Sequence, residues 1–281
     1  MSKGDDMEEV KVELHNICKK FERKVVLKDV NMSIHAGDVI VFIGSNGTGK
    51  STLLKMITGL IYATSGDIIR KQGIRFAYIP EKFPGLSLTA KQYLESVGEI
   101  EKLDRQYVVE RCEYYFEKFQ MTQMMDTPMK FLSKGTLQKV VVVQALLRIP
   151  DVLILDEPLS GQDIQSQKFF IEQIKELRRQ GVAIVMSCHE EYLINQTATI
   201  VYRIQQGTLH KVDLHKEREK EWVRLIFSNT ISNIKLEQYS QIKKIDILED
   251  RIELVVSRKE SNELIVELIQ RGMELNVMEM I

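Results

Sequence analysis

The segment GSNGTGKST at 44–52 combines the residue types needed to hold a chain of phosphates. Backbone N–H groups of Gly44, Ser45, Asn46, Gly47, Thr48 and Gly49 can wrap phosphate oxygens, and Lys50 can reach the outer phosphates. The hydroxyl of Ser51, with Thr52 beside it, can bind magnesium. An apolar run at 39–43 leads into this loop and a helical run at 50–59 leaves it, so the phosphates would meet a helix N-terminus. A glycine-rich turn that matched by chance would have no reason to lie between a strand and a helix.

Two further segments offer chemistry of their own. In VLILDEP, Asp156 and Glu157 stand at the tip of an apolar strand, with Asp156 suited to hold magnesium through its water shell and Glu157 to orient and deprotonate a water. A solvated acidic pair is the competing reading. In FLSKGTLQKV, Ser133 and Gly135 open a helix and expose hydroxyl and N–H donors to an anion, although any serine-capped helix has this look. His189 follows a third apolar run at 182–186, where a lone histidine is usually structural.

These groups need a scaffold that brings three strand ends together. The runs at 39–43, 152–155 and 182–186 are nearly continuous aliphatic stretches, as strands covered on both faces require, and ligands of open α/β sheets bind at such carboxyl ends. From about 10 to 206, strands alternate with helices, which predicts an α/β domain with a largely parallel sheet. Between 89 and 129 the strand signal stops, and YLESVGEIEKLDRQYVVERCEYYFEKF predicts one amphipathic helical run with Tyr107, Val108, Cys112, Tyr115 and Phe119 near one face. The aromatic stripe of Tyr114, Tyr115, Phe116 and Phe119 reads as core packing rather than a ligand box. HKVDLHKEREKE at 210–221 reads as a linker or exposed helix start, followed by a small α+β unit. In it WVRLIFS, IKKIDIL, IELVVS and MELNVM are strands, and a helix capped by Ser261 carries Leu264, Ile265, Leu268 and Ile269. The domains expected are 1–210, with a helical insertion over about 89–147, and 211–281.

With 281 residues and 44% hydrophobic content, the chain can bury a full core. Thirty-nine basic against 40 acidic residues leave a net charge of −1, so no basic field argues for nucleic acid. The N-terminus is polar and acidic, and no apolar stretch approaches the roughly 20 residues that span a bilayer, so a membrane role is expected through a partner. Cys18, Cys112 and Cys188 have no ligand spacing, which suits a reducing cytoplasm and leaves magnesium as the only metal expected.

Taken together, GSNGTGKST, LSKGT, VLILDEP, SGQD at 160–163 and His189, in that order, resemble the nucleotide-binding subunit of an ABC transporter over about residues 10–206. The resemblance implies a phosphate-loop ATPase fold, ATP and Mg2+, and a head-to-tail dimer with ATP held between the phosphate loop of one subunit and Ser133 and Gly135 of the other. It places Phe21 as the aromatic that stacks on adenine, against the alternative of a core phenylalanine. Asp163 falls in the segment that crosses the dimer interface, and His189 in the switch that contacts the γ-phosphate. Catalysis is then assigned to Lys50, Glu157 and His189, and metal binding to Ser51, Asp156 and Glu81.

Two departures stand out. Glu81, in FAYIPEKFPGLSLT, occupies the place of the family's lid glutamine; its carboxylate can still ligate magnesium but adds negative charge near the phosphates. LSGGQ becomes LSKGT, keeping Ser133 and Gly135 while adding Lys134, which either aids phosphate binding or faces solvent. The resemblance implies a motor subunit, peripheral on the inner face of the membrane, that pairs with a separate transmembrane permease through a groove around Phe83 to Leu88. The second cassette is an identical copy or a paired chain. Glu81, LSKG and the small C-terminal unit resemble exporters of peptides, antibiotics or drugs, and a soluble ABC ATPase such as an iron–sulfur assembly ATPase is the alternative.

Overall fold

The computed structural model describes residues 9–159, 161–213, 222–228, 234 and 236–280. By contacts the chain divides into two units, Met1–Lys211 and Val212–Ile281. In the first, the aliphatic runs become β3 (Val39–Ile43), β6 (Val152–Asp156) and β7 (Ala183–Ser187), three of the four inner strands of a six-stranded sheet. Its order is β5-β6-β7-β3-β8-β9, with β5 (Phe76–Ile79), β8 (Ile200–Gln205) and β9 (Thr208–Val212), and the pairings from β5 to β8 are parallel. Every residue of β6 and β7 is buried, as expected where both faces are covered. Gln206 and Gly207, both at positive φ, turn the chain from β8 into β9. That strand takes up 210–212 of the charged segment expected to be a linker, while 214–221 lie outside the described residues.

A second sheet, not foreseen from the alternating pattern, is antiparallel and runs β2-β1-β4, with β1 (Val10–Phe21), β2 (Lys24–His35) and β4 (Ser65–Arg70). The helix α1 (Lys50–Thr58) packs into a core shared by both sheets, where Leu53, Leu54, Met56 and Ile57 meet Leu27, Ile40, Phe42 and Val185. A nine-residue helix is marginal alone. Burial of those four side chains, about 1.5–3 kcal/mol each, is what holds it in place. Gly59 ends it in the left-handed conformation, with the Leu60 N–H returning to the Lys55 carbonyl at 2.9 Å.

The single helical run expected after residue 89 is two helices, α2 (Ala90–Ile100) and α3 (Arg105–Lys118). Lys102, at φ 54°, breaks the run, and the Asp104 side chain starts α3 by accepting from the Tyr107 N–H. Thr89 and Gln92 form a reciprocal capping box at the start of α2. Val108, Cys112, Tyr115, Phe116 and Phe119 are buried, whereas Tyr107 is exposed, because its helical position points away from the packed face. Tyr114 is also exposed, its ring packing against Tyr115 and Phe169. Next come α4 (Lys134–Leu147), α5 (Ile164–Arg179), between β6 and β7, and α6 (Glu191–Thr197).

In the second unit, β10 (Trp222–Ser228), β11 (Ile242–Ile247), β12 (Arg251–Ser257) and β13 (Leu275–Met280) form an antiparallel sheet of order β11-β12-β10-β13. The helix α7 (Arg258–Gln270) lies between β12 and β13 in the chain. The topology is that of a split βαβ of the ferredoxin-like kind. Leu264 and Leu268 of α7 join Val223, Leu225, Leu254 and Val256 in its core. The cap is Ser257, four residues earlier than the expected Ser261, which lies inside the first turn, its hydroxyl donating to the Arg258 carbonyl at 2.9 Å. Among the described residues no helix is long and apolar enough to cross a membrane.

Candidate active site

Gly44 lies at φ 146°, and a Cβ there would stand 2.8 Å from the Ile204 carbonyl oxygen; Gly49, at φ 108°, is the residue from which α1 starts without a side-chain cap. The first N–H groups of α1 therefore face the loop rather than a capping side chain. Lys50, only 6% exposed, folds back over this loop and donates to the carbonyls of Gly44 at 2.6 Å and Ser45 at 3.3 Å. A nearly buried ammonium folded over a glycine-rich loop at a helix N-terminus is a receptor for polyanions.

Asp156, at the carboxyl end of β6 and 3% exposed, meets hydroxyl groups. Ser187 donates at 2.6 Å and Ser51 at 3.0 Å to one carboxylate oxygen, and Tyr78 donates at 3.3 Å to the other. One carboxylate beside one serine hydroxyl, next to a phosphate site, fits Mg2+, which takes few protein ligands and fills its octahedron with water and phosphate oxygens. No group of three or more His, Cys, Asp or Glu able to hold a metal occurs among the described residues.

Glu157 follows at φ 52°, an uncommon conformation for a non-glycine residue, and its N–H is held by the Ser187 carbonyl at 3.2 Å and hydroxyl at 3.1 Å. The turn separates its side chain from that of Asp156. Burial pushes the Glu157 carboxyl above its usual range; His189 and Lys50 oppose the shift, while Glu190 and Asp156 add to it. Nε2 of His189 lies 3.2 Å from Glu157 Oε1 and 3.1 Å from Lys50 Nζ. Protonated, this nitrogen donates to Glu157; unprotonated, it accepts from Lys50. The imidazole is thus a two-position contact between the base end and the phosphate end of the site.

Phe21, Asn46, Lys50, Ser51, Glu81 and Glu157 all line one open cavity of about 700 Å³. Phe21 is 49% exposed, which rules out a core position. Ser133 and Gly135 are not among the described residues lining this cavity. Ser133 caps α4, accepting from the Thr136 N–H at 3.1 Å, and is exposed, whereas Gly135 is buried where a Cβ would fall 2.2 Å from the Gly161 carbonyl. Asp163 caps α5 and is bound by Lys139 at 2.7 Å; Ser160, before it in the same motif, lies outside the described residues. Ser187 and Tyr78 escaped the sequence reading. A serine directly after the aliphatic run of β7, two residues before His189, was the available signal for the first.

A phosphate loop at the carboxyl end of an inner strand of a parallel sheet, with a buried acidic residue at the tip of the next strand but one, defines a phosphate-loop ATPase. The family model described as "ABC transporter" matches residues 27–160. The zinc import ATP-binding protein ZnuC of Yersinia enterocolitica is 35% identical over 187 residues, covering 65% of this chain and 71% of that protein. ZnuC of Vibrio cholerae is 37% identical, covering 65% and 69%. A solved ATP-binding subunit of an ABC transporter superposes with TM-score 0.67 at 27% identity, over 74% of this chain and 92% of that one. A dimeric ATP-binding cassette bound to ADP and Pi superposes with TM-score 0.65 at 21% identity, over 72% and 98%, and speaks for the fold. The chain belongs to the ABC transporter family as an ATP-binding, ATP-hydrolysing subunit that uses Mg2+.

Proposed function

We propose that this chain drives transport through a separate transmembrane permease by closing with a second cassette, head to tail, on ATP at the inner face of the membrane. The observation that carries the reading is the convergence of Lys50, Ser51, Glu157 and His189 at one cavity, with Asp156 bonded to Ser51 beside it, from α1, the tip of β6 and the end of β7. Lys50, Thr52 and the N–H groups of 44–49 bind the phosphates. Ser51 and Asp156, with Glu81 on the cavity wall, would hold Mg2+, which when bound would offset charge on the phosphate oxygens. Glu157 accepts the proton of the attacking water, its basicity raised by burial, and His189 contacts the γ-phosphate. Phe21 stacks on adenine, and Ser133 and Gly135 of the second copy close the site; their absence from the cavity supports an arrangement in trans. The permease docks beside α2, where Phe83 packs on Tyr93 and Leu88 is exposed.

The relatives named above are proteins of zinc import, which supports import and gives the exporter resemblance no support. Cargo does not follow from them, because the shared stretch is the motor and the permease selects what crosses. An iron–sulfur assembly role finds no support among these relatives either. Glu157→Gln keeps size and hydrogen bonding but cannot take the proton, so hydrolysis should fall by about 10²–10⁴-fold while ATP holds the dimer closed. Size-exclusion chromatography with Mg-ATP should then show a larger species. A variant that stays monomeric, or hydrolyses at the wild-type rate, removes Glu157 from this role.

A further inference from the structure

Phe21 ends β1 and lines the cavity with a half-exposed ring. Two residues earlier on the same strand, and so on the same face, Lys19 brings its ammonium to 4.8 Å from the ring centroid. Lys19 is not among the described residues lining the cavity, whereas Phe21 is. The same ammonium donates to the Tyr62 carbonyl at 2.7 Å. That carbonyl belongs to the connection between α1 and β4, which is itself tied to β1: Thr64 donates its N–H to the Cys18 carbonyl at 2.8 Å, and its hydroxyl accepts from the Lys20 N–H at 3.0 Å.

We propose that Lys19 is a positioning residue for the nucleobase: pinned to Tyr62, it holds the Phe21 ring in one orientation and leaves the opposite face for a purine. Two physical effects act together. A ring this exposed otherwise turns freely about its side-chain bonds and must be ordered when the base binds. A cation on one face also draws electron density from the ring, which makes the other face a better partner for an electron-rich purine. The inference rests on the proposed role of Phe21 and names the residue that sets its strength.

The test compares calorimetric titrations of the full chain and its variants with a nonhydrolysable β,γ-imido analogue of ATP and with inorganic tripolyphosphate, which has no base. Lys19→Gln should weaken the nucleotide analogue by about two- to fivefold, the size of an exposed cation–π contact, and leave tripolyphosphate unchanged. Lys19→Arg, which keeps the cation and a donor for Tyr62, should bind both as wild type does. Phe21→Ala should weaken the nucleotide analogue alone. If Phe21→Ala has no effect, the stacking role itself fails. If Phe21→Ala weakens binding but Lys19→Gln does not, or if Lys19→Arg fails to restore it, the role of Lys19 is overturned while that of Phe21 stands. Equal loss for both ligands in Lys19→Gln overturns it as well, since a general disturbance of β1 makes no distinction between base and phosphate.

Discussion

Glu81, proposed for the place of the family's lid glutamine, is half-buried in the wall of the cavity rather than free on an exposed loop. Glu157 and Glu190 line the same cavity, and Asp156 is bonded to Ser51 beside it, so the Glu81 carboxylate adds to the negative potential at the proposed phosphate site. Glu81→Gln should therefore hold or raise ATP affinity and shift the magnesium dependence of hydrolysis, with the thermal midpoint little changed. Steady-state hydrolysis across a magnesium series reads this directly. Superimposable curves would mean that the charge at position 81 never acts on the metal.

Asp163 shows how one side chain fixes an element. It starts α5 by accepting the Ser166 N–H at 2.8 Å and binds Lys139 of α4, whose ammonium also donates to the Phe119 carbonyl at 3.0 Å. Although burial opposes it, Lys139 and the two Ser166 bonds hold the Asp163 carboxyl well below the usual range. Asp163→Ala should cost about 1–2 kcal/mol, from the lost cap and a nearly buried lysine left with one partner. Because the folded pKa is lowered, this stabilisation is present above the unfolded carboxylate pKa and fades as pH falls through the folded one. Denaturant unfolding of both proteins along a pH series should show the difference shrinking only in acid; a constant difference would leave a cap without an ionic component. The same region explains Gly135: α4 begins so close to Gly161 that any side chain there would meet a backbone oxygen, a demand met within the monomer whatever its role toward an anion.

For the assembled molecule, the exposed Ser133 and the cavity it does not line lead to a mixing experiment. Ser133→Arg should block closure while each chain's phosphate loop still binds nucleotide, and Lys50→Ala should fail to bind the outer phosphates. Combined, the two variants form one intact composite site, at the loop of the Ser133→Arg chain facing Ser133 of the other. ATP-dependent heterodimers, detected with two affinity tags, are the expected result. Their absence under conditions where the wild type dimerises would exclude the head-to-tail arrangement.

The sequence by itself determined the class of chemistry, because a phosphate loop is a local object: its glycines, lysine and serine are contiguous, and the strand before it and helix after it follow from aliphatic run and spacing. The five motif segments in order were enough to identify the family. The apolar strands were legible for the same reason, since burial on both faces leaves an unbroken aliphatic signature. Only the tertiary structure decided which partners complete the site, because Asp156 meets Ser187 and Tyr78 through strand neighbours distant in the chain. It also decided that a helical pattern breaks at Lys102, where one residue's backbone conformation overrides periodicity, and that 210–212 join a sheet despite their charge. The cation beside Phe21 was hidden too: the reason for Lys19 lies in Tyr62, brought to it by the packing of β1 against the turn after α1.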